Sequence, residues 1–158
     1  MGYKYPYVPT LVSNWKSNNN KKICYQFDAK SNKGQRFPSE EAKEKILTAI
    51  KNEGYEVVKL GKELTLEECI QETSKCEAFL GIDSGMLYLA SSVGVPIFYC
   101  INNRGQDIWE TAHPNKHATV VKDYLELIDT FAKFSKEGLD YYLKNARNIH
   151  LFKERLSL

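Results

Sequence analysis

The run AFLGIDSGMLYLASSV, residues 78–93, decides the fold of this chain. Ala78 to Ile82 is an apolar strand, and within three residues, Asp83, Ser84 and Gly85, the chain passes into a helix predicted to end at Val93. The free N–H groups of a first helical turn point outward and attract anions, aided by the helix dipole. A glycine there lets ligand oxygens approach the backbone closely, and the Ser84 hydroxyl adds a donor. On local sequence a second reading stands equally open, in which Asp83 or Ser84 merely caps the helix.

Outward from this run the same alternation repeats. KICYQF (22–27) and YEVVKL (55–60) precede it as strands, and PIFYCI (96–101) and the shorter ATVV (118–121) follow it. Ser39 caps a helix with Glu40 and Glu41 in its first turn and Ala42, Ile46, Ala49 and Ile50 on one face, ended by Gly54. Thr65 and Glu68 form a capping box that opens a helix through Lys75. Asp123 caps a helix carrying Leu125, Ile128, Phe131 and Ala132, and Lys136 to about Glu154 is predicted as one further helix. Strands apolar on both faces, alternating with amphipathic helices, predict an α/β domain of about five parallel strands with helices on both faces. Residues 22–135 form that domain, 1–21 an amino-terminal arm without regular pattern, and 136–158 a helix packed on the domain or on a partner.

The composition bounds the rest. One domain suits 158 residues, and 22 Lys and Arg against 20 Asp and Glu leave no global charge to favour a nucleic-acid partner. Cys24, Cys69, Cys76 and Cys100 are widely spaced and sit in apolar or helical contexts, which predicts free, buried thiols and a reduced, cytoplasmic setting. No run approaches the roughly 18 apolar residues of a membrane span, and MGYKYPYVPT lacks the apolar core of a signal peptide. Neither cofactor nor metal is expected.

Parallel sheets bind ligands beyond the carboxyl ends of their strands. At that edge DAKSNKGQRFP (28–38) brings Lys30, Lys33 and Arg36 together with Ser31 and Gly34, a set suited to a diphosphate, or to a solvated loop. Glu63, in the loop after the second strand, offers a carboxylate to ribose hydroxyls or is a surface residue. NRGQDIWETAHPNKH (103–117) follows the fourth strand; its Asp107, Glu110 and His113, with Asp28, are the candidate bases, and Trp109 the candidate cover for a bound sugar or base. A solvated excursion is the other reading of that long loop.

Thr65 to Pro96 resembles the donor-binding half of the family 9 glycosyltransferases, the group of bacterial heptosyltransferases. There a helix of the form S/T-L-x-E-x-x leads to a strand and then to G-x-D-S/T-G-x-x-H-L-A-x-x-x-G-x-P, which Gly81, Asp83, Ser84, Gly85, Leu89, Ala90, Gly94 and Pro96 match. Lys33 to Pro38 is similar to the family's K-x-W-P loop, with Phe37 for tryptophan, and Val57 to Gly61 to its second strand. The resemblance spans most of Lys22 to Val121 and implies a Rossmann-like domain, the carboxyl-terminal half of a GT-B enzyme. It implies that Asp83, Ser84 and Gly85 meet the diphosphate of a nucleotide-sugar donor, with Ser31 and Lys30 beside it, Lys33 or Arg36 as the basic residue, and Glu63 as an acidic donor contact. Two departures stand out: Tyr88 replaces the motif histidine, and no acceptor half with its catalytic carboxylate is recognised.

Three readings follow. A glycosyltransferase-like protein would transfer a hexosyl or heptosyl group from its donor with a partner or a second copy supplying the missing half. A non-catalytic nucleotide or nucleotide-sugar binding module would keep only the cradle, and a structural protein only the fold. Tyr3, Tyr5, Tyr7, Val8 and Leu11 of the arm, and Leu139, Tyr142, Leu143, Ala146 and Ile149 of the tail, are expected to cover the exposed cleft or to form an oligomer interface.

Overall fold

The computed structural model describes residues 15–28, 38–61, 63–101, 113 and 116–156. Five strands, β1 (Lys22–Gln26), β2 (Glu56–Lys59), β3 (Ala78–Gly81), β4 (Ile97–Cys100) and β5 (Thr119–Val121), form one sheet in the order β2-β1-β3-β4-β5, and every pairing is parallel. The helices are α1 (Glu40–Asn52), α2 (Leu66–Lys75), α3 (Gly85–Val93), α4 (Tyr124–Glu137), α5 (Leu139–Asn145) and α6 (Ile149–Leu156). This is a single Rossmann-like α/β domain. β3 and β4 are buried at every position, as central strands covered on both faces must be. β2, at one edge, has exposed ends, Glu56 and Lys59, around half-buried Val57 and Val58.

The chain leaves β1 towards β2 but leaves β3 towards β4, so the direction of winding reverses between these two neighbours. Right-handed crossovers then put α1 and α4 in contact on one face, and α2 and α3 on the other. The crevice of such a sheet opens where the winding reverses, between the loops that follow β1 and β3.

Local chemistry fixes the helix starts. The Ser39 hydroxyl accepts from the Ala42 N–H at 3.1 Å, and Thr65 and Glu68 exchange their bonds at 3.0 and 2.8 Å, a complete capping box. Asp123 accepts from Glu126 N–H at 2.8 Å. α1 buries Ala42, Ile46 and Ile50, with Ala49 half-buried beside them. All four cysteines are buried and free.

The tail differs from the single helix predicted over Lys136–Glu154. Gly138 lies at φ 66° and ψ −145°, a conformation open essentially to glycine, and it separates α4 from α5. Asn148, at φ 53°, then separates α5 from α6. Between them Arg147 turns back onto the sheet, donating to Ala118 at 2.7 Å and accepting from it at 3.3 Å. These are tertiary bonds, invisible to helical periodicity.

The tail packs on the domain, at the edge where the strands begin. Tyr142 accepts from the N–H of Ile97, at the start of β4, at 3.1 Å, and lies 2.7 Å from His117 Nδ1. Phe152 fills the space between Trp15, His117 and Tyr142. Trp15 donates from its indole to Cys76 O at 2.7 Å and from its backbone to Val93 O at 3.2 Å. Arg155 reaches Ser91 O at 3.1 Å and crosses Gly94, which adopts φ 94°. All of this lies around the amino ends of β3, β4 and β5. The described part of the tail therefore closes the edge opposite the crevice between the loops after β1 and β3. Tyr3, Tyr5, Tyr7, Val8 and Leu11 lie outside the described residues.

Gly81 marks the tightest point beneath the crevice. A Cβ there would meet the Phe79 ring at 2.7 Å and the carbonyl oxygen of Gln26, on β1, at 2.8 Å. The ring could turn, but the β1 backbone is held in the ladder. Gly81→Ala is expected to lower stability by about 2 kcal/mol, the scale of an overpacked core, read as a lower urea midpoint at unchanged slope. An unchanged midpoint would show that β1 and β3 can separate without cost.

Candidate functional site

The β3–α3 turn lies at the carboxyl edge of the sheet, beside the reversal of winding. α3 begins at Gly85 with Ser84 in the N-cap position, yet Ser84, unlike the caps of α1, α2 and α4, makes no side-chain bond to its helix. Its Oγ is buried and has no hydrogen-bond partner. Among the described residues no atom lies within 4 Å of a Cβ built on Gly85. Of the two capping candidates, Ser84 therefore does not cap α3 through its side chain. Within the first turn Leu87 N–H donates to Ser84 O at 3.0 Å, while the N–H groups of Gly85 and Met86 precede the helical ladder, the kind of donors a helix start offers to an anion.

The segment around 113–117 supplies the side chains beside this turn. His113 is fully buried, with Nε2 3.7 Å from Asp83 Oδ1 and its ring 5.5 Å from Tyr88 and 5.7 Å from Tyr99. Burial pushes its imidazole down to about 4, with Asp83 opposing the shift and Lys116 assisting it, so the ring is neutral at pH 7. Lys116 is 4 % exposed, and its ammonium lies 4.5 Å from the centre of the Tyr88 ring. Burial lowers the Lys116 pKa from the ordinary lysine value, while the Asp83 carboxylate pulls it back. Tyr88 itself is 39 % exposed, an aromatic face between a buried cation and solvent.

A cavity of about 460 Å³ opens at the ends of β1 and β2, lined among others by Gln26, Asp28, Lys59, Gly61 and Glu63. Gln26 is fixed at its base, donating to Leu60 O at 2.5 Å and accepting from Asp28 N–H at 2.7 Å. Gly61 adopts φ 134°, and a Cβ there would strike the Gln26 amide nitrogen at 2.7 Å. Asp28 is paired with Lys43 at 2.5 Å and with Lys59 at 3.3 Å. Burial opposes ionisation of Asp28, but the two ammonium groups outweigh it and hold its pKa below the ordinary aspartate value. A carboxylate so paired is a poor general base near neutral pH.

The structure thus groups Asp83, Ser84, Gly85 and Tyr88 around the mouth of α3, and places Glu63, exposed, at the rim of the neighbouring cavity with Asp28. Lys30, Ser31, Lys33 and Arg36 lie outside the described residues, as do Asp107, Trp109 and Glu110. His113 comes to the turn from the other side of β4, as its place in a candidate loop allowed. Lys116 was not singled out by sequence; its one signal is a cation placed two residues before the buried run ATVV. Among the described residues no three His, Cys, Asp or Glu side chains gather as a metal site, and no helix there is long and apolar enough to cross a membrane. Set against protein-family models, curated proteins and solved structures, the chain matches none of them.

Proposed function

We propose that this chain is a glycosyltransferase-like domain that holds the diphosphate of a nucleotide or nucleotide-sugar at the amino end of α3. The observation that carries the reading is the Ser84 hydroxyl, buried and without a partner at an N-cap position, beside a Gly85 that no described residue crowds. A phosphate oxygen there would accept from Ser84 and from the first N–H groups of α3, satisfying donors that the fold leaves idle. The resemblance of Gly81 to Pro96 to a donor-binding motif agrees with this placement. The cavity at Glu63 has the volume to take a nucleoside, and Glu63 the acceptor oxygens for ribose hydroxyls.

Binding without transfer is the second reading, and the state of the candidate bases favours it. Of those described, Asp28 is tied into two ion pairs and His113, though neutral, is wholly buried. Asp28 lines the cavity but its two cations weaken it as a base, and His113 has no exposed surface to offer an acceptor hydroxyl.

Calorimetric titration with ADP, UDP, GDP and their sugar conjugates tests both. At least one is expected to bind the wild-type chain. Ser84→Ala should weaken it about tenfold, the scale of one hydrogen bond to a charged group, and Gly85→Val should weaken it more by adding bulk where the ligand would sit. Failure of every ligand to bind the wild type would remove the nucleotide reading. Donor hydrolysis or transfer by the bound protein would favour the enzyme over the module.

A further inference from the structure

We propose that the Lys116 ammonium is the counter-cation of the anionic group that docks at the amino end of α3, a group of phosphate class. The inference rests on reading that helix end as an anion site, and adds to it a residue that lies outside both the motif run and the 28–38 loop.

Lys116 is buried to 96 % of its surface, the complement of its 4 % exposure, so its stem is fixed against the core. Among the described residues its ammonium has a ring contact with Tyr88 and neither a hydrogen bond nor an ion pair. An ammonium carries three N–H donors, and a π face answers the charge without satisfying their directionality. Leaving such a group so placed costs stability unless something else uses it. The Tyr88 ring belongs to the first turn of α3, and helical side chains lean towards the amino end of their own helix. The ammonium above that ring therefore stands beside the same mouth as Ser84 and Gly85. Ser84 Oγ, at the N-cap of the same helix, is likewise buried without a partner, so two donors from different parts of the chain belong to this end of α3.

The charges at this helix end point to the class of ligand. Asp83 is the neighbouring carboxylate, and His113 is neutral, so Asp83 and Lys116 cancel before anything binds. A neutral ligand could accept from the helix N–H groups and from the ammonium but would not answer the positive charge. A phosphate oxygen supplies acceptors to the ammonium, the hydroxyl and the helix together. It must then overcome the repulsion of Asp83, which is why the lysine is needed in addition to the helix dipole.

The test titrates inorganic pyrophosphate and the nucleoside diphosphates into the wild-type chain and into Lys116→Met and Lys116→Gln, with thermal unfolding of each as a folding control. Both variants are expected to melt close to or above the wild type, because a buried charge has been removed, and to bind pyrophosphate about 10- to 100-fold more weakly. Their binding should also depend less on salt. Lys116-dependent binding of pyrophosphate with no preference for nucleotides supports the assignment while the nucleotide reading falls. Wild-type affinity in both folded variants overturns the assignment and leaves the nucleotide reading standing. A wild-type chain that binds neither pyrophosphate nor nucleotide overturns both.

Discussion

Phe152→Ala is expected to remove about 4 kcal/mol of stability, the usual range for deleting a fully buried aromatic ring. Phe152 has no exposed surface, and its ring centre lies 4.8 Å from His117, 5.1 Å from Tyr142 and 6.0 Å from Trp15. These three partners come from the β4–β5 connection, from α5 and from the segment before β1. None of them can follow the retreating surface, because Trp15 is tied to Cys76 O and Tyr142 to the Ile97 N–H. The cavity therefore stays open, and its cost adds to the lost transfer free energy. Urea unfolding followed by circular dichroism reads the effect as a lower midpoint. A midpoint unchanged from wild type, with loss confined to the signal of one short helix, would show that α6 frays independently and that the tail lies outside the cooperative unit.

That outcome matters for how the chain is divided. The sequence suggested a domain over 22–135 flanked by an arm and a tail. Trp15, Tyr142 and Phe152 belong to the same buried cluster as the side chains of β3 and β4, so the core reaches beyond residues 22–135 on both sides. Sequence reading was strong where information is local. Periodicity and end signals placed α3 over Gly85–Val93, the capping box at Thr65 and the caps at Ser39 and Asp123, because each rests on residues within four positions of one another. The apolar runs gave the strands for the same reason.

What escaped was set by partners distant in sequence. Arg147 breaks the predicted tail helix by bonding to Ala118. Trp15 is drawn into the core by the carbonyl of Cys76. The state of Ser84 was undecidable locally, since a serine before a helix either caps it or does not; only the rotamer in the fold removes the first alternative. Lys116 is a single lysine among several, distinguished by a burial that the sheet imposes. The candidate site accordingly divides into a motif that sequence locates and a charged environment that only the tertiary structure assembles.

Acidification from pH 7 to pH 5 is expected to cost this protein about 4 kcal/mol, roughly 2 kcal/mol from each of His113 and His117. Burial holds the His117 imidazole down to about 3, with Arg155 adding to the shift, and holds His113 down to about 4. In the unfolded chain both titrate near the ordinary value of 6.5. Above that value neither state binds the protons and the contribution is intact. Below it the unfolded chain takes up two protons that the folded chain refuses, so stability falls as pH falls. Each loss continues until the folded value is reached, near 4 for His113 and near 3 for His117. The bonding of His117 shows why refusal is structural. Because Tyr142 Oη accepts from Ile97, its own proton is free to go to His117 Nδ1 in the tautomer protonated at Nε2, and a proton added to Nδ1 would face that donor. Asp28, whose pKa is lowered, loses its contribution only below the pH range considered. Urea midpoints measured across pH 5 to 7 should therefore slope downward towards acid, and His117→Gln should remove about half of the slope whatever its effect at pH 7. A variant with the wild-type slope would mean that His117 becomes protonated inside the fold, with the Tyr142 hydroxyl turned away to admit it.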